Sequence, residues 1–253
     1  MTGALGALGT LLGPYSPVPD VSQEGSRVTT LFVYATTVSA AVFAIVVLSV
    51  VVFALRGGRK RISPRPAERS LAAIALAVAG ATFLLLDLPL VSAAQKDLAE
   101  VYGRIPGGAD VIRVEVLAQQ WAWNFRLAGN DGAFGTPDDV VSLNVLRVPE
   151  GRPVVLNLRS KDVLHAFFVP ALRLKHDAHP AGTTRTWFAV REPGTFEIAC
   201  SQFCGFAHYR MRGTLEVLPP PAYARWLAEE SAESAFRFDP ANPAAAWGWE
   251  FVP

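Results

Sequence analysis

The sequence predicts a transmembrane α-helical hairpin at the N-terminus, followed by an all-β domain that is exported from the cytoplasm. Composition is the first observation: 51% of residues are hydrophobic and the mean hydropathy is +0.28, which is too apolar for an ordinary soluble protein. Two long, nearly uncharged runs precede residue 96, and short alternating segments follow it. The net charge of +1, without a basic, aromatic-interleaved patch in the exported part, argues against a nucleic-acid partner.

The first apolar run covers residues 28–55 and contains no charged side chain. Its length exceeds the roughly 20 residues that a helix needs to cross a bilayer. We therefore predict a first transmembrane helix over residues 28–55. Residues 1–27 have no basic stretch at their start, and Gly and Pro break their short apolar run. We expect them to form an exported N-terminal segment and not a cleaved signal peptide.

The second apolar run, residues 70–95, contains a single charged residue, Asp87, and predicts a second transmembrane helix. A lone charge in an apolar helix indicates a functional group by default, although a position near the lipid interface would also tolerate it. The intervening loop, residues 56–69, carries six basic residues and one acid, Glu68. Because short basic loops stay in the cytoplasm, we expect both chain ends and the β domain on the periplasmic side of a bacterial-type plasma membrane.

Residues 111–218 are the predicted β domain. Segments such as VVSLNVLRV and RPVVLNLRS alternate between apolar and polar residues, and a REPG turn joins two further strands. Several short strands with turn signals between them are typical of a sandwich or barrel of about 100 residues. The composition changes in residues 219–253, where we expect a short helix followed by a Pro- and Ala-rich surface tail.

Both cysteines of the chain lie in the segment CSQFCGFAHYRM, with one of the four histidines and the only methionine besides Met1. The segment separates the strands TFEIA and GTLEV, so it forms a loop at one end of the β domain. A structural disulfide would use Cys200 and Cys204 but would leave His208 and Met211 without a role. A zinc site of two Cys and two His would leave Met211 unused.

Copper uses the whole set of side chains, because sulfur ligands support Cu(I) whereas imidazole supports Cu(II). A mononuclear blue-copper site needs one cysteine, and this loop supplies two. Cysteines at the spacing of Cys200 and Cys204 can bridge two metal ions, each of which then takes one terminal histidine and one weaker ligand. The second histidine must come from outside the loop, and His165 in SKDVLHAFFVP is the candidate.

With these residues the sequence resembles subunit II of the haem-copper cytochrome c oxidases, whose exported cupredoxin domain, a Greek-key sandwich, carries the binuclear copper A centre. The resemblance extends from the helical hairpin to the strand after Met211. It implies that Cys200 and Cys204 bridge the two coppers and that His165 and His208 are the terminal imidazoles. Met211 is then a weak axial ligand.

The family pattern also implies roles for Gln202 and Trp121. The residue at the position of Gln202 supplies its backbone carbonyl to one copper. The motif QQWAWNF resembles the aromatic stretch whose first tryptophan, here Trp121, lies between docked cytochrome c and the copper pair. Many relatives have Glu in place of Gln202, and that carboxylate helps to hold magnesium at the subunit interface. Because an amide is a poorer ligand for a hard dication, we do not expect a strong magnesium site here.

The resemblance implies an electron relay within an enzyme complex. Cytochrome c, or another periplasmic one-electron donor, would reduce the copper pair, and haem in subunit I of a terminal oxidase would receive the electron. Oxygen reduction coupled to proton translocation then belongs to the partner, and contacts with other oxidase subunits are implied. Two alternatives stay open: the copper A subunit of a haem-copper nitric oxide reductase, and a membrane-anchored β-domain with a structural disulfide or zinc site and no redox role.

Three further residues and one turn have less specific signals. His176 and His179 in LRLKHDAHPAG are expected to be ordinary interfacial histidines, with extra ligands or proton carriers as the alternative. Glu68 resembles an acid that marks a proton channel in some relatives, and it equally suits the first turn of the second helix. The segment NDGAFGTPDD is expected to be an acidic turn, which would help to attract a basic cytochrome c.

Overall fold

The computed structural model describes residues 18–56 and 64–237 of the 253-residue chain. The predicted N-terminal segment up to residue 17, residues 57–63 of the basic loop and the predicted tail from residue 238 lie outside the described residues. The described residues divide into a helical unit, Arg27–Arg104, and a second unit that contains the β domain.

The helical unit consists of helix α1, Gly25–Arg56, and a second helical stretch. In order, the second stretch comprises helix α2, Pro64–Thr82, a π-helical turn, Phe83–Asp87, helix α3, Leu88–Asp97, and a second π-helical turn, Leu98–Tyr102. Two segments are long and apolar enough to cross a membrane, Gly25–Arg56 and Ala72–Asp97. Their large apolar side chains are mostly exposed, as expected of surfaces that contact lipid or partner helices.

Pro89 explains the first π-helical turn. Proline has no N–H group, so Pro89 cannot donate the usual helical hydrogen bond to the carbonyl of Leu85, four residues earlier. The helix widens instead, and the Leu88 amide donates to the carbonyl of Phe83, five residues earlier. The hydroxyl of Tyr34 in α1 donates to the Leu85 carbonyl. A tyrosine of the first helix therefore satisfies the carbonyl that the proline leaves free.

The β unit contains ten strands within the described residues. They are β1 Ile112–Gln119, β2 Ala122–Leu127, β3 Val140–Leu143, β4 Val145–Pro149, β5 Val154–Ser160, β6 His165–Val169, β7 Leu174–Ala178, β8 Thr184–Phe188, β9 Gly194–Cys200 and β10 Arg212–Leu218. They form two five-stranded sheets, in the orders β3-β2-β1-β5-β8 and β4-β10-β9-β6-β7. Strand β1 is parallel to β5 and β10 is parallel to β4, while the other described pairs are antiparallel.

The core lies between the inner faces of the two sheets. The apolar residues at alternate positions of β2, Trp123, Phe125 and Leu127, share one face of the strand and are almost completely buried. Trp123 packs edge-on against Phe167 of β6, with ring centroids 5.3 Å apart. Aromatic contacts thus join the two sheets, and the predicted fold class, a helical hairpin followed by a cupredoxin-like β sandwich, is confirmed.

Asn144 divides a segment that the alternation pattern presents as one strand. Its φ is +59°, a left-handed conformation that Asn tolerates better than most residues. The Asn144 side-chain Oδ1 accepts a hydrogen bond from the Trp123 amide at 2.8 Å, and its carbonyl accepts one from the Thr214 amide at 2.7 Å. The chain therefore leaves the first sheet after β3 and enters the second sheet with β4.

Helix α4, Pro220–Arg237, follows the last strand. Tyr223 is buried in the core, and Trp226 packs against the same cluster. The guanidinium of Arg147 lies over the Trp226 ring, 5.4 Å from its centroid, and also pairs with Glu216 at 2.6 Å. These contacts attach the helix to the second sheet.

Candidate metal centre

The loop that carries the two cysteines is held by the second sheet at both ends. Cys200 is the last residue of β9, and β10 begins directly after Met211. The Cys200 amide donates a hydrogen bond to the Met211 carbonyl at 3.1 Å, and the Ser201 amide donates to the Ala166 carbonyl at 3.0 Å. The sheet therefore places the loop beside His165, the first residue of β6.

The predicted ligand side chains converge around two sulfur atoms, and we call this group the metal cluster because it could hold a metal. Cys200 Sγ and Cys204 Sγ lie 3.8 Å apart, and both cysteines are free thiols. His165 Nδ1 is 3.9 Å from Cys200 Sγ, and His208 Nδ1 is 3.4 Å from Cys204 Sγ. Met211 Sδ is 3.8 Å from Cys204 Sγ. The metal cluster thus consists of five side chains from one loop and one neighbouring strand.

The metal cluster has two sides. On one side, the donor atoms of His165, Cys200 and Cys204 lie within 4.8 Å of one another. On the other side, His208 and Met211 contact Cys204. Each sulfur atom thus has an imidazole nitrogen beside it, and the donors together could hold metal.

The metal cluster is largely shielded from solvent. His165 is fully buried, and Cys204 and Met211 are 3% and 1% exposed. The carbonyl oxygen of Gln202 also lies next to the cluster, 3.2 Å from Cys200 Sγ. Sulfur and imidazole donors in a closed site suit copper or zinc and are poor ligands for hard cations such as magnesium.

Asp162, which no sequence motif had indicated, holds His165 in its orientation. Asp162 Oδ1 lies 2.8 Å from His165 Nε2, and the Gln120 amide donates a hydrogen bond to Asp162 Oδ2 at 2.7 Å. Burial opposes ionisation of Asp162, but hydrogen bonds from Gln120, His165 and Val163 hold its pKa below the ordinary value. Burial also opposes the charged form of His165 and would lower its pKa. Hydrogen bonds with Cys200 and Asp162 outweigh burial, and the pKa of His165 is raised. A carboxylate behind a metal-binding histidine is the usual arrangement in metalloproteins.

The two thiols differ in acidity. At Cys200, burial opposes ionisation, but hydrogen bonds with the His165 side chain and with the backbone of Ala166 and Gln202 lower the pKa to about 6. At Cys204, burial and the neighbouring charge of Cys200 raise the pKa to about 12. The first proton therefore leaves the cysteine pair more readily than the second, and a bound cation would displace the second proton.

Trp121 lies in the turn between β1 and β2 and touches the metal loop. Its indole Nε1 donates a hydrogen bond to the Cys204 carbonyl at 3.2 Å, and Gln120 Nε2 donates to the same oxygen at 2.8 Å. Trp121 is 37% exposed, so its ring reaches the surface. Gly205 permits this approach, because it has a φ of +115° and a Cβ there would lie 2.9 Å from Gln120 Nε2.

Three aromatic residues of the metal loop are exposed, and none of them was among the site residues predicted from the sequence. Phe203, Phe206 and Tyr209 are 77%, 89% and 64% exposed. The pattern FCGFAHY contains the signal, because Phe203 precedes Cys204 and Tyr209 follows His208. When the ligands point into the domain, their neighbours in the loop are left to face solvent. The surface nearest to the metal cluster is therefore apolar.

The two histidines of KHDAH lie elsewhere. His176 is a half-buried residue of β7, where burial lowers its pKa although Asp177 opposes that shift. His179 follows β7 and is exposed. Within the described residues, the His, Cys and acidic groups close enough together to hold a metal are His165 and the two cysteines, and no such group contains His176, His179 or the acids of the 130–139 turn.

The β domain has known relatives. A family model described as cytochrome c oxidase subunit II, periplasmic domain, matches residues 112–218, which is the range from the first residue of β1 to the last residue of β10. The domain belongs to the cytochrome c oxidase subunit II family. The resemblance that the metal loop indicated is thus confirmed.

Individual subunit II relatives are similar over a limited length. The alternative cytochrome c oxidase subunit 2 of Bradyrhizobium diazoefficiens is 40% identical over 144 residues, which cover 48% of this chain and 52% of the relative. Cytochrome c oxidase subunit 2 of Thermostichus vulcanus is 34% identical over 128 residues, 51% of this chain and 36% of the relative. The match thus spans about half the length of these relatives or less. The periplasmic domain of CoxB from Bradyrhizobium japonicum is 22% identical, with a TM-score of 0.45 over 52% of this chain and 100% of that chain.

Proposed function

We propose that this chain is the electron-accepting subunit of a membrane terminal oxidase and that the metal cluster holds a binuclear copper A centre. The proposal rests on one observation: each of the two sulfur atoms has an imidazole nitrogen beside it, that of His165 near Cys200 and that of His208 near Cys204. A structural zinc site would instead bring all four donors around one ion. When bound, the copper pair would supply reversible one-electron chemistry, with the electron shared between the two ions.

The residues of the chain keep this site rigid and dry. The second sheet holds both ends of the loop, and Asp162 fixes the ring of His165. Met211 offers a buried, weak thioether donor beside Cys204. Because sulfur suits Cu(I) and imidazole suits Cu(II), a fixed set of both donor types allows a change of charge with little rearrangement.

Trp121 is the proposed point at which electrons enter. Its indole ring reaches the surface and contacts the backbone of Cys204. Cytochrome c, or another periplasmic one-electron donor, would dock on this surface and come within one side chain of the metal cluster. The exposed rings of Phe203, Phe206 and Tyr209 would add apolar contact area to that docking surface.

The apolar helices indicate a membrane anchor, and we infer its orientation from the charge of the loop between them. With the basic loop in the cytoplasm, the β domain and both chain ends lie on the periplasmic side of the plasma membrane. The partner is then a haem-containing subunit I in the same membrane, assembled with further oxidase subunits. Subunit I receives the electron and reduces oxygen, with coupled proton translocation.

The test is a metal and spectroscopic analysis of the full-length chain, purified in detergent and loaded with copper. We expect two coppers per chain, a visible colour that reductant bleaches, and an electron paramagnetic resonance signal from one unpaired electron on two copper nuclei. Cys204→Ser should lose this signal. Ser201→Ala, which removes a buried hydroxyl from the same loop, should retain it. A colourless chain with one zinc, or a Cys200–Cys204 disulfide, would contradict the proposal.

The identity of the large membrane subunit that copurifies decides the final acceptor. A haem-copper oxidase that consumes oxygen with reduced cytochrome c supports the proposal. A partner that reduces nitric oxide instead would assign the chain to the alternative reductase.

A further inference from the structure

Asp87 is the one charged residue in the second apolar run, residues 70–95. It is the last residue of the π-helical turn Phe83–Asp87 in the second membrane segment. Its side chain is exposed, and it forms no hydrogen bond or ion pair with the described residues of the chain. A charged group in a membrane helix normally faces a partner or a polar cavity, because lipid does not solvate it.

Asp87 lies far along the helix from the charged end of the second membrane segment. Lys96 and Asp97 mark the charged end of helix α3, and Asp97 pairs with Arg27 of α1 at 2.9 Å. With a rise of about 1.5 Å per residue, Asp87 lies about 13 Å from Lys96 along the helix axis. Half of the hydrocarbon core is about 15 Å thick. If the charged end is at the lipid interface, Asp87 is close to the bilayer centre and not in the interfacial position that the sequence also permitted.

Among the described residues of the helical unit, the Leu85 carbonyl has a side-chain partner near Asp87, whereas the Asp87 carboxylate has none. Tyr34 donates its hydroxyl to the Leu85 carbonyl that Pro89 releases, two residues before Asp87. The basic side chains described in this unit stand at or beyond helix ends; they are Arg27, Arg56, Lys96 and Arg104. π-helical turns inside α-helices are frequent at functional sites. None of these described basic side chains pairs with Asp87, so a partner chain is the candidate source of a compensating charge.

We propose that Asp87 is a recognition contact for the membrane-embedded partner subunit, and that the partner presents a lysine or arginine to it at the same depth. This inference rests on the proposed function, because the function identifies the partner as the haem-containing subunit. A cation offsets the cost of a carboxylate in lipid and gives the hairpin one position and depth on the partner surface. A neutral hydrogen-bond donor would leave the negative charge uncompensated.

The test uses the affinity-tagged full chain, expressed in membranes with its natural partner. Asp87→Asn keeps the size and hydrogen-bonding capacity of the side chain and removes its charge, whereas Asp87→Glu keeps the charge. We expect Asp87→Asn to lower the amount of haem subunit that copurifies by about tenfold, which corresponds to about 1.4 kcal/mol of binding free energy, and Asp87→Glu to retain most of it. Asp97→Asn is the matched control, because it breaks an ion pair within this chain and should leave copurification unchanged.

A second measurement reports the charge state directly. The infrared difference spectrum between wild-type and Asp87→Asn complexes should show an ionised carboxylate and no protonated carboxyl band. A protonated band, wild-type copurification of Asp87→Asn, or an equal loss with Asp97→Asn would overturn the inference. The copper signal of Asp87→Asn should match that of the wild type, so failure at Asp87 is distinct from failure of the copper assignment. A wild-type chain that captures no haem subunit would overturn both.

Discussion

The indole Nε1 of Trp121 donates a hydrogen bond to the carbonyl oxygen of Cys204 at 3.2 Å. This bond joins a ring that reaches solvent to the backbone of a residue whose sulfur belongs to the metal cluster. Gln120 donates to the same oxygen at 2.8 Å and so keeps the turn close to the loop. A donor protein that contacts the ring is separated from the cluster by one hydrogen bond and the atoms of one cysteine.

Replacement of Trp121 by Phe should slow electron uptake without removing the metal. The variant keeps an aromatic ring but loses the N–H group, and the loss of one such hydrogen bond costs about 1 kcal/mol of stability. We expect unchanged copper content and a severalfold slower oxidation of reduced donor in stopped-flow measurements. Trp187→Phe, in strand β8, is the matched control. Equal rates in the wild type and the Trp121 variant would show that electrons enter elsewhere.

Asp162→Asn should weaken metal binding, because Asp162 Oδ1 contacts His165 Nε2 at 2.8 Å and orients the ring. Loss of such a partner behind a ligand typically lowers metal affinity about 10- to 100-fold. Copper competition titrations of the full chain would measure the change. Asp177→Asn, in strand β7, removes an acid that does not contact His165 and should have little effect. An unchanged affinity for Asp162→Asn would mean that the sheet alone fixes His165.

The composition of the metal cluster could be predicted from the sequence, because soft donors at a distinctive spacing are rare in this chain. Cys200, Cys204, His208 and Met211 lie within one short loop at the end of a strand, and the sheet brings His165 to the same end. The role of Asp162 could not be predicted, because it depends on the orientation of one imidazole ring. A pattern of residue types carries no such information.

The change of sheet at Asn144 could not be predicted in full from the sequence pattern. The run VVSLNVLRV alternates over most of its length, so we read it as one strand, although Val145 and Leu146 are adjacent apolar residues that shift the phase of the alternation. The break depends on hydrogen bonds from Trp123 and Thr214, which lie far from Asn144 in the sequence. Long-range backbone pairing of this kind overrides local alternation. The apolar helices, in contrast, could be predicted from the local sequence alone.

Met211→Leu should keep both metal ions and raise the reduction potential of the site. Met211 is 1% exposed and its Sδ lies 3.8 Å from Cys204 Sγ, so leucine fills nearly the same volume but offers no donor. Such a swap costs less than about 1.5 kcal/mol of stability. Without the thioether the more positive, oxidised state loses a ligand, which favours reduction. Redox titration of the visible spectrum measures the potential; a fall, or the loss of one copper, would contradict the weak axial role.

A buried cluster in the first sheet should make the stability of the β domain depend on pH. Arg126 Nε contacts Glu115 Oε2 at 2.5 Å, and Arg126 Nη1 lies 3.7 Å from Asp139 Oδ2. One guanidinium thus faces two carboxyl groups. Burial raises the pKa of Glu115 although Arg126 opposes the shift, and burial also raises the pKa of Asp139 against a hydrogen bond from Gly135 and the charge of Arg126.

These raised pKa values determine the sign of the pH effect. A carboxyl group with a higher pKa in the folded chain binds its proton more tightly there than in the unfolded chain. Its contribution to stability is present in full below the pKa of the unfolded chain, near pH 4, and is lost as pH rises through the raised pKa of the folded chain.

Asp139→Asn, which cannot ionise, should therefore gain stability relative to the wild type as pH rises above about 4. Urea midpoints of the full chain in detergent at several pH values measure this difference, and Glu192→Gln, at an exposed acid outside the cluster, is the control. A wild-type chain that gains stability over the Asp139 variant on the same rise in pH would show that the folded chain holds Asp139 in the ionised form.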